Sequence, residues 1–133
     1  MRFMEQHRRI EGIPVIEFIP AQPAGKLPVV IIMHGFTGRK EDNIPVARQL
    51  AGLGFTTLSI DLHLHGELGD QPFVAAAVSP RFAEVVEQSV ANLACLVDAY
   101  PRQAGETADA SRIGLLGISL GGAVIHGYLP RRS

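Results

Sequence analysis

One segment near the C-terminus constrains this chain more than any other. Arg112-Ile113-Gly114-Leu115-Leu116-Gly117-Ile118-Ser119-Leu120-Gly121-Gly122 places an apolar strand directly ahead of Gly-x-Ser-x-Gly. That order predicts a sharp turn from strand to helix, which lifts one serine hydroxyl above a sheet edge. The turn forces its serine into a strained backbone conformation. Gly117 and Gly121, two residues before and two after, carry no Cβ, so strand and helix can approach without a clash.

The rest of the chain supplies the layers such a turn belongs to. Ile13 to Ile19 reads as a strand, with Pro14 putting it at a sheet edge or strand start. A strand within Phe3 to Ile10 is weakly patterned. Pro20 to Pro28 is a connector. Val29-Val30-Ile31-Ile32-Met33 is a continuous apolar run, as expected of a strand buried on both faces of a parallel sheet. Asp42 or Asn43 is expected to cap a helix through Ala47, Leu50 and Leu53 that ends at Gly54. Phe55 to Ile60 is the next strand, and a glycine-rich loop from Asp61 to Gln71 follows. Ser79-Pro80 predicts a helix start, with serine as N-cap and proline at the first helical position. Phe82, Val85, Val86, Val90, Leu93, Leu96, Val97 and Tyr100 form one apolar stripe, which Pro101 is expected to stop. Tyr100 and Phe82 read as core residues. Strands alternating with helices predict an α/β fold, a mostly parallel sheet flanked by helices, in a single domain over 1–133.

Chemistry enters at Ser119. Serine is a poor nucleophile at neutral pH unless a base takes its proton, so position alone does not make it reactive. The alternative is a glycine-rich turn with an incidental serine. The second feature is His34-Gly35-Phe36-Thr37-Gly38, directly after the buried run Val29 to Met33. A tetrahedral oxyanion needs preorganised donors. The backbone N–H of Leu120, at the positive end of the following helix, is one. The N–H of Phe36 is the other, with Gly35 letting the backbone approach. A phosphate loop fits poorly, because Gly35 and Gly38 are too close together and Arg39-Lys40 follows them.

Four landmarks stand in one order: His34-Gly35-Phe36-Thr37-Gly38, Asp61-Leu62-His63-Leu64-His65-Gly66, Asp109-x-x-Arg112-Ile113-Gly114 and the Ser119 turn. In these the sequence resembles the α/β-hydrolase superfamily, in particular serine esterases related to dienelactone hydrolases and prolyl-oligopeptidase-type peptidases. The resemblance implies that Ser119 is the nucleophile and that Phe36 and Leu120 supply the oxyanion hole. His34, Gly35, His65, Gly117 and Gly121 would support the site. Ester, thioester, lactone and peptide substrates share this acyl chemistry.

The departure from the family is large. Its chain order is serine, acid, histidine, yet the residues after Ser119 include neither Asp nor Glu. His126 lies two helical turns along and would point away from the hydroxyl. The resemblance therefore implies an α/β-hydrolase fold truncated after the nucleophile elbow, the N-terminal half of a longer hydrolase of carboxylic esters. The elbow strand would then have an open edge, a route to self-association. The chain alone is expected to be inactive. The alternative is an inert fragment or non-catalytic binding module lacking the triad acid and base.

A metal-dependent hydrolase is the further alternative. Asp61, His63 and His65 alternate, so in an extended segment they share one side. Only Glu67 stands near as another ligand, and a histidine pair bordering an esterase cleft is the favoured interpretation. No metal and no cofactor is expected. The formal net charge of −1 argues against a nucleic-acid partner, and His7-Arg8-Arg9 and Arg131-Arg132 read as solvated ends. The sequence shows no apolar run of membrane-spanning length and no secretory signal. Cys95, the one cysteine, excludes an intrachain disulfide and falls on the polar side of its helix. A cytoplasmic location and a small-molecule ester substrate are the expectations.

Overall fold

A computed structural model describes residues 3–21, 25–69 and 78–131. The middle of the Pro20–Pro28 connector, the last residues of the glycine-rich loop, and Arg132 lie outside the described residues. Five strands, β1 (Phe3–Ile10), β2 (Ile13–Pro20), β3 (Leu27–Met33), β4 (Thr56–Ile60) and β5 (Ala108–Gly117), form one sheet in the order β1-β2-β4-β3-β5. β4, β3 and β5 run parallel, whereas β2 is antiparallel to both β1 and β4, so the sheet is mixed. Among the described residues three α-helices pack on it: α1 (Ile44–Gly52), α2 (Phe82–Ala104) and α3 (Leu120–Tyr128).

The apolar run of β3 is buried on both faces, as its composition demands. Val29, Ile31 and Met33 join one core cluster with Leu93, Leu96 and Val124 of α2 and α3. Ile32 joins a second with Ile16, Phe18 and the Ala47 and Ala51 face of α1. The result is helix, sheet, helix. Each fully buried Leu or Ile contributes about 2 kcal/mol by removal from water, and β3 places such residues on both faces of the sheet.

β1, faint in the sequence, forms a full hairpin with β2. Its two-residue turn, Glu11-Gly12, has φ 52° and 77°, the left-handed pair that matches strand twist. His7 and Arg9 are exposed on this strand, whereas Arg8 turns inward. Arg8 forks onto buried Glu17, Nε to Oε1 at 3.0 Å and Nη2 to Oε2 at 3.2 Å. Tyr100 Oη–H donates to the same carboxylate at 2.5 Å. Burial first, then the Glu17 carboxylate, push the Tyr100 phenol well above its ordinary range.

The helices depart from expectation at their ends. A 3₁₀ turn, Ser79–Arg81, absorbs the Ser79-Pro80 start, and α2 begins at Phe82. Pro101 lies inside α2, which runs one further turn to Gly105 at φ 60°. A proline there removes a single backbone donor at the frayed end, a smaller cost than in mid-helix. Asn43 sits at the N-cap of α1 without a side-chain cap bond. Asp42 Oδ2 instead accepts the Arg39 N–H at 3.1 Å. Leu53, expected on the apolar stripe, is 74% exposed.

β5 begins with a bulge: Leu27 pairs with Ala108, and Val29 with Ile113. Asp109 closes it. Its carboxylate accepts the N–H and hydroxyl of Ser111 at 2.9 and 2.6 Å and Arg112 Nε–H at 2.7 Å. Those bonds, Ser111 foremost, hold its carboxyl down at about 2. The Asp109-x-x-Arg112 landmark is therefore architectural. β5 is the sheet edge, with Leu116 40% exposed on it and Ile118, just beyond it, 48% exposed. Among the described residues no helix is long and apolar enough to cross a membrane.

Candidate active site

Ser119 stands between β5 and α3 with φ 53° and ψ −105°, a conformation that costs a non-glycine residue about 1–3 kcal/mol. The packing that holds it there is tight. A Cβ on Gly117 would lie 2.4 Å from the Gly121 carbonyl carbon, and one on Gly121 would lie 2.4 Å from the Met33 oxygen. Ile118 N–H donates to Met33 O at 3.1 Å, so the ends of β3 and β5 are locked under the turn. Ser119 is exposed, and its side chain makes no capping bond to α3. Leu120 opens α3, and first-turn N–H groups have no intrahelical acceptor.

The loop from His34 to Gly38 lies against this turn. A Cβ on Gly35 would be 3.3 Å from Ile118 O and 3.6 Å from Ser119 Cβ. His34 and His65, both buried, fix the loop from behind, with ring centroids 5.1 Å apart. His34 Nε2 accepts the Leu62 N–H at 3.0 Å and Nδ1 lies 2.7 Å from Gly35 O. His65 Nε2 accepts the Thr37 N–H at 3.2 Å and Nδ1 lies 2.9 Å from His63 O. An Nε2 that accepts puts the proton on Nδ1, so both rings are neutral. Burial is the largest cause lowering both imidazoles below the ordinary 6.5, against backbone bonds that raise them. The Thr37 bond braces a residue at φ 70°.

A charged cluster ties the same loop to the segment after β4. Lys40 is buried, and its Nζ–H groups donate to Asp61 Oδ2 at 2.9 Å and to Glu67 Oε2, with Glu41 at 3.2 Å. Asp61 Oδ1 accepts the Lys40 N–H at 2.9 Å and Oδ2 the Glu67 N–H at 3.1 Å. Burial opposes the Lys40 charge, but the carboxylates outweigh it and raise its pKa. Nothing in the sequence marked Lys40.

The three residues of the metal alternative, Asp61, His63 and His65, have other partners here. Asp61 is spent on Lys40, His63 Nε2 on Glu84 at 2.9 Å, and both His65 nitrogens on backbone. No group of three metal-ligating side chains occurs among the described residues. Phe82 is corrected: it is 44% exposed and meets the Phe36 ring edge-on at 6.1 Å, near the site rather than in the core. Tyr100 is core, Cys95 is exposed, and His126 is exposed along α3. A cleft of about 350 Å³ opens between the His34–Gly38 loop, Asp42, Asn43 and Ile118.

The dienelactone hydrolase family model matches residues 13–131. The Bacillus subtilis (strain 168) protein named "Putative esterase YitV" is 30% identical over 125 residues, 93% of this chain and 48% of that protein. Among solved structures, TT1662 from Thermus thermophilus has a TM-score of 0.81 at 24% identity, over 98% of this chain and 52% of that one. A structure named "Putative Dienelactone Hydrolase" from Klebsiella pneumoniae subsp. pneumoniae MGH 78578 has a TM-score of 0.78 at 22% identity, over 96% and 55%. The chain spans about half the length of each of these proteins.

Proposed function

The chain belongs to the dienelactone hydrolase family, and from that premise we propose that the whole protein hydrolyses carboxylic esters through an acyl-Ser119 intermediate. The observation that carries this is the backbone of Ser119. It is held at positive φ, at the head of α3, with Gly35 packed against it. Strain of this kind persists where surrounding packing enforces it, and here that packing presents a hydroxyl.

In the proposed reaction Ser119 Oγ adds to the ester carbonyl as a base takes its proton. The N–H groups of Phe36 and Leu120 receive the oxyanion, and loss of one such donor typically costs 10²–10³-fold in kcat. Collapse expels the alcohol, which takes the proton from the base. Water then adds to the acyl-serine by the same route and releases the acid. His34 and His65 are spent on backbone groups and serve as supports of the loop. The acid and base would come from beyond this span, in the family's order of serine, acid, histidine.

A second reading applies to this chain alone. Both buried histidines beside the Ser119 turn bond backbone groups, which favours an inert piece or a binding module. One comparison separates them. Turnover of p-nitrophenyl acetate by the whole protein is expected to fall at least 10³-fold in Ser119→Ala. Undiminished turnover would contradict the assignment. This chain alone is expected to show little turnover.

A further inference from the structure

Asn43 is 4% exposed and lines the cleft, yet its Nδ2 is buried and has no hydrogen-bond partner among the described residues. A buried amide donor left unpaired is costly, and native proteins keep few of them. The neighbouring polar groups are otherwise committed. Both nitrogens of His34 are held by backbone, Thr37 N–H is held by His65, and Gly38 N–H donates to Gly35 O at 3.0 Å. Asp42 adds a carboxylate, and no lysine or arginine lines the cleft among the described residues. The terminal torsion of asparagine is broad, so a turn of the side-chain amide is the motion that would bring this donor to a ligand.

We infer that Asn43 is a substrate-binding residue, whose amide donates to a neutral oxygen on the acyl group of the ester. A ketone, amide or hydroxyl oxygen fits this donor. A carboxylate does not, because it would meet Asp42 without a cation beside it. This inference deepens the ester-hydrolase proposal and rests on it for the word substrate.

Three small esters of matched shape test it: methyl levulinate (ketone), methyl valerate (no acceptor) and monomethyl succinate (carboxylate). Binding is measured on the Ser119→Ala protein by isothermal titration calorimetry, and the Asn43 side-chain amide is followed in ¹H–¹⁵N spectra. Methyl levulinate is expected to bind about tenfold tighter than methyl valerate, the effect of one buried hydrogen bond, with monomethyl succinate weakest. Adding Asn43→Leu should remove the preference. An unmoved amide, or the same preference in the Leu variant, overturns the inference. The p-nitrophenyl esters of the first two acids, assayed with Ser119 intact, keep the two claims apart. Ser119-dependent turnover without an Asn43-dependent preference sinks the subsite and spares the hydrolase. The preference without Ser119 dependence does the reverse.

Discussion

Adding one methyl group at Gly121 is expected to unseat α3, while the same change one residue later strengthens it. A Cβ on Gly121 would stand 2.4 Å from Met33 O and 2.9 Å from Met33 C and Cβ. Ordinary contact begins near 3.4 Å, so helix and strand must separate by about 1 Å. The obstacle is backbone at the end of β3, which cannot swing aside as a flexible side chain would. Leu120 and Val124, both buried, would move with the helix. Overpacking of this type costs about 3 kcal/mol. At Gly122 the nearest atom to an added Cβ is Gly117 O at 3.9 Å, so Gly122→Ala meets no obstacle and gains about 0.5–1 kcal/mol of helix propensity. Urea unfolding followed by circular dichroism reads both, with unchanged m-values as the check on two-state behaviour. Melting points should move in opposite directions, at about 4 °C per kcal/mol. A Gly121→Ala protein within 0.5 kcal/mol of the parent would refute the close approach on which the Ser119 geometry depends.

Three further outcomes follow from the site and the sheet edge. His34 and His65 are neutral with pKa values below the ordinary 6.5, so the unfolded chain binds more protons and their stabilisation is lost as pH falls below about 6.5. The loss runs from the unfolded value down to the lowered folded one, at no more than about 1.4 kcal/mol per pH unit for each ring. Urea midpoints at pH 7.5 and 5.5 check it, and a midpoint unchanged on acidification contradicts it. Lys40→Met would leave the buried Asp61 carboxylate without its cation, at about 3 kcal/mol, and Lys40→Met with Asp61→Asn should recover part of that. We propose that the β5 edge drives self-association, because Leu116 and Ile118 lie exposed there. Leu116→Lys should then shift sedimentation toward the monomer, and an unchanged distribution would count against the edge.

Legibility in the sequence followed the range of the interactions. β3 was readable because five consecutive apolar residues need burial on two faces, and Ser119 because the turn's glycines are local to it. Charged residues buried by distant partners gave no such signal. Glu17 is satisfied by Tyr100, 83 residues away, and Lys40 by Asp61, 21 residues away. Periodicity places Tyr100 on the buried stripe but says nothing of the carboxylate it meets. The same limit produced the error at Phe82. It shares the stripe's spacing, yet as the first residue of α2 it is exposed and its ring meets Phe36. His34 and His65 were placed beside the site by their motifs. Their interlock across 28 residues, each accepting a backbone N–H from the other's segment, is a tertiary fact.

Whether the strained serine is a nucleophile is answered by covalent capture. The whole protein is incubated with a fluorophosphonate, and the adduct is located by peptide mass spectrometry. One adduct is expected, on Ser119, absent from Ser119→Ala and prevented by a competing ester. Ester turnover by a folded protein in which Ser119 stays unlabelled would contradict the role assigned to it.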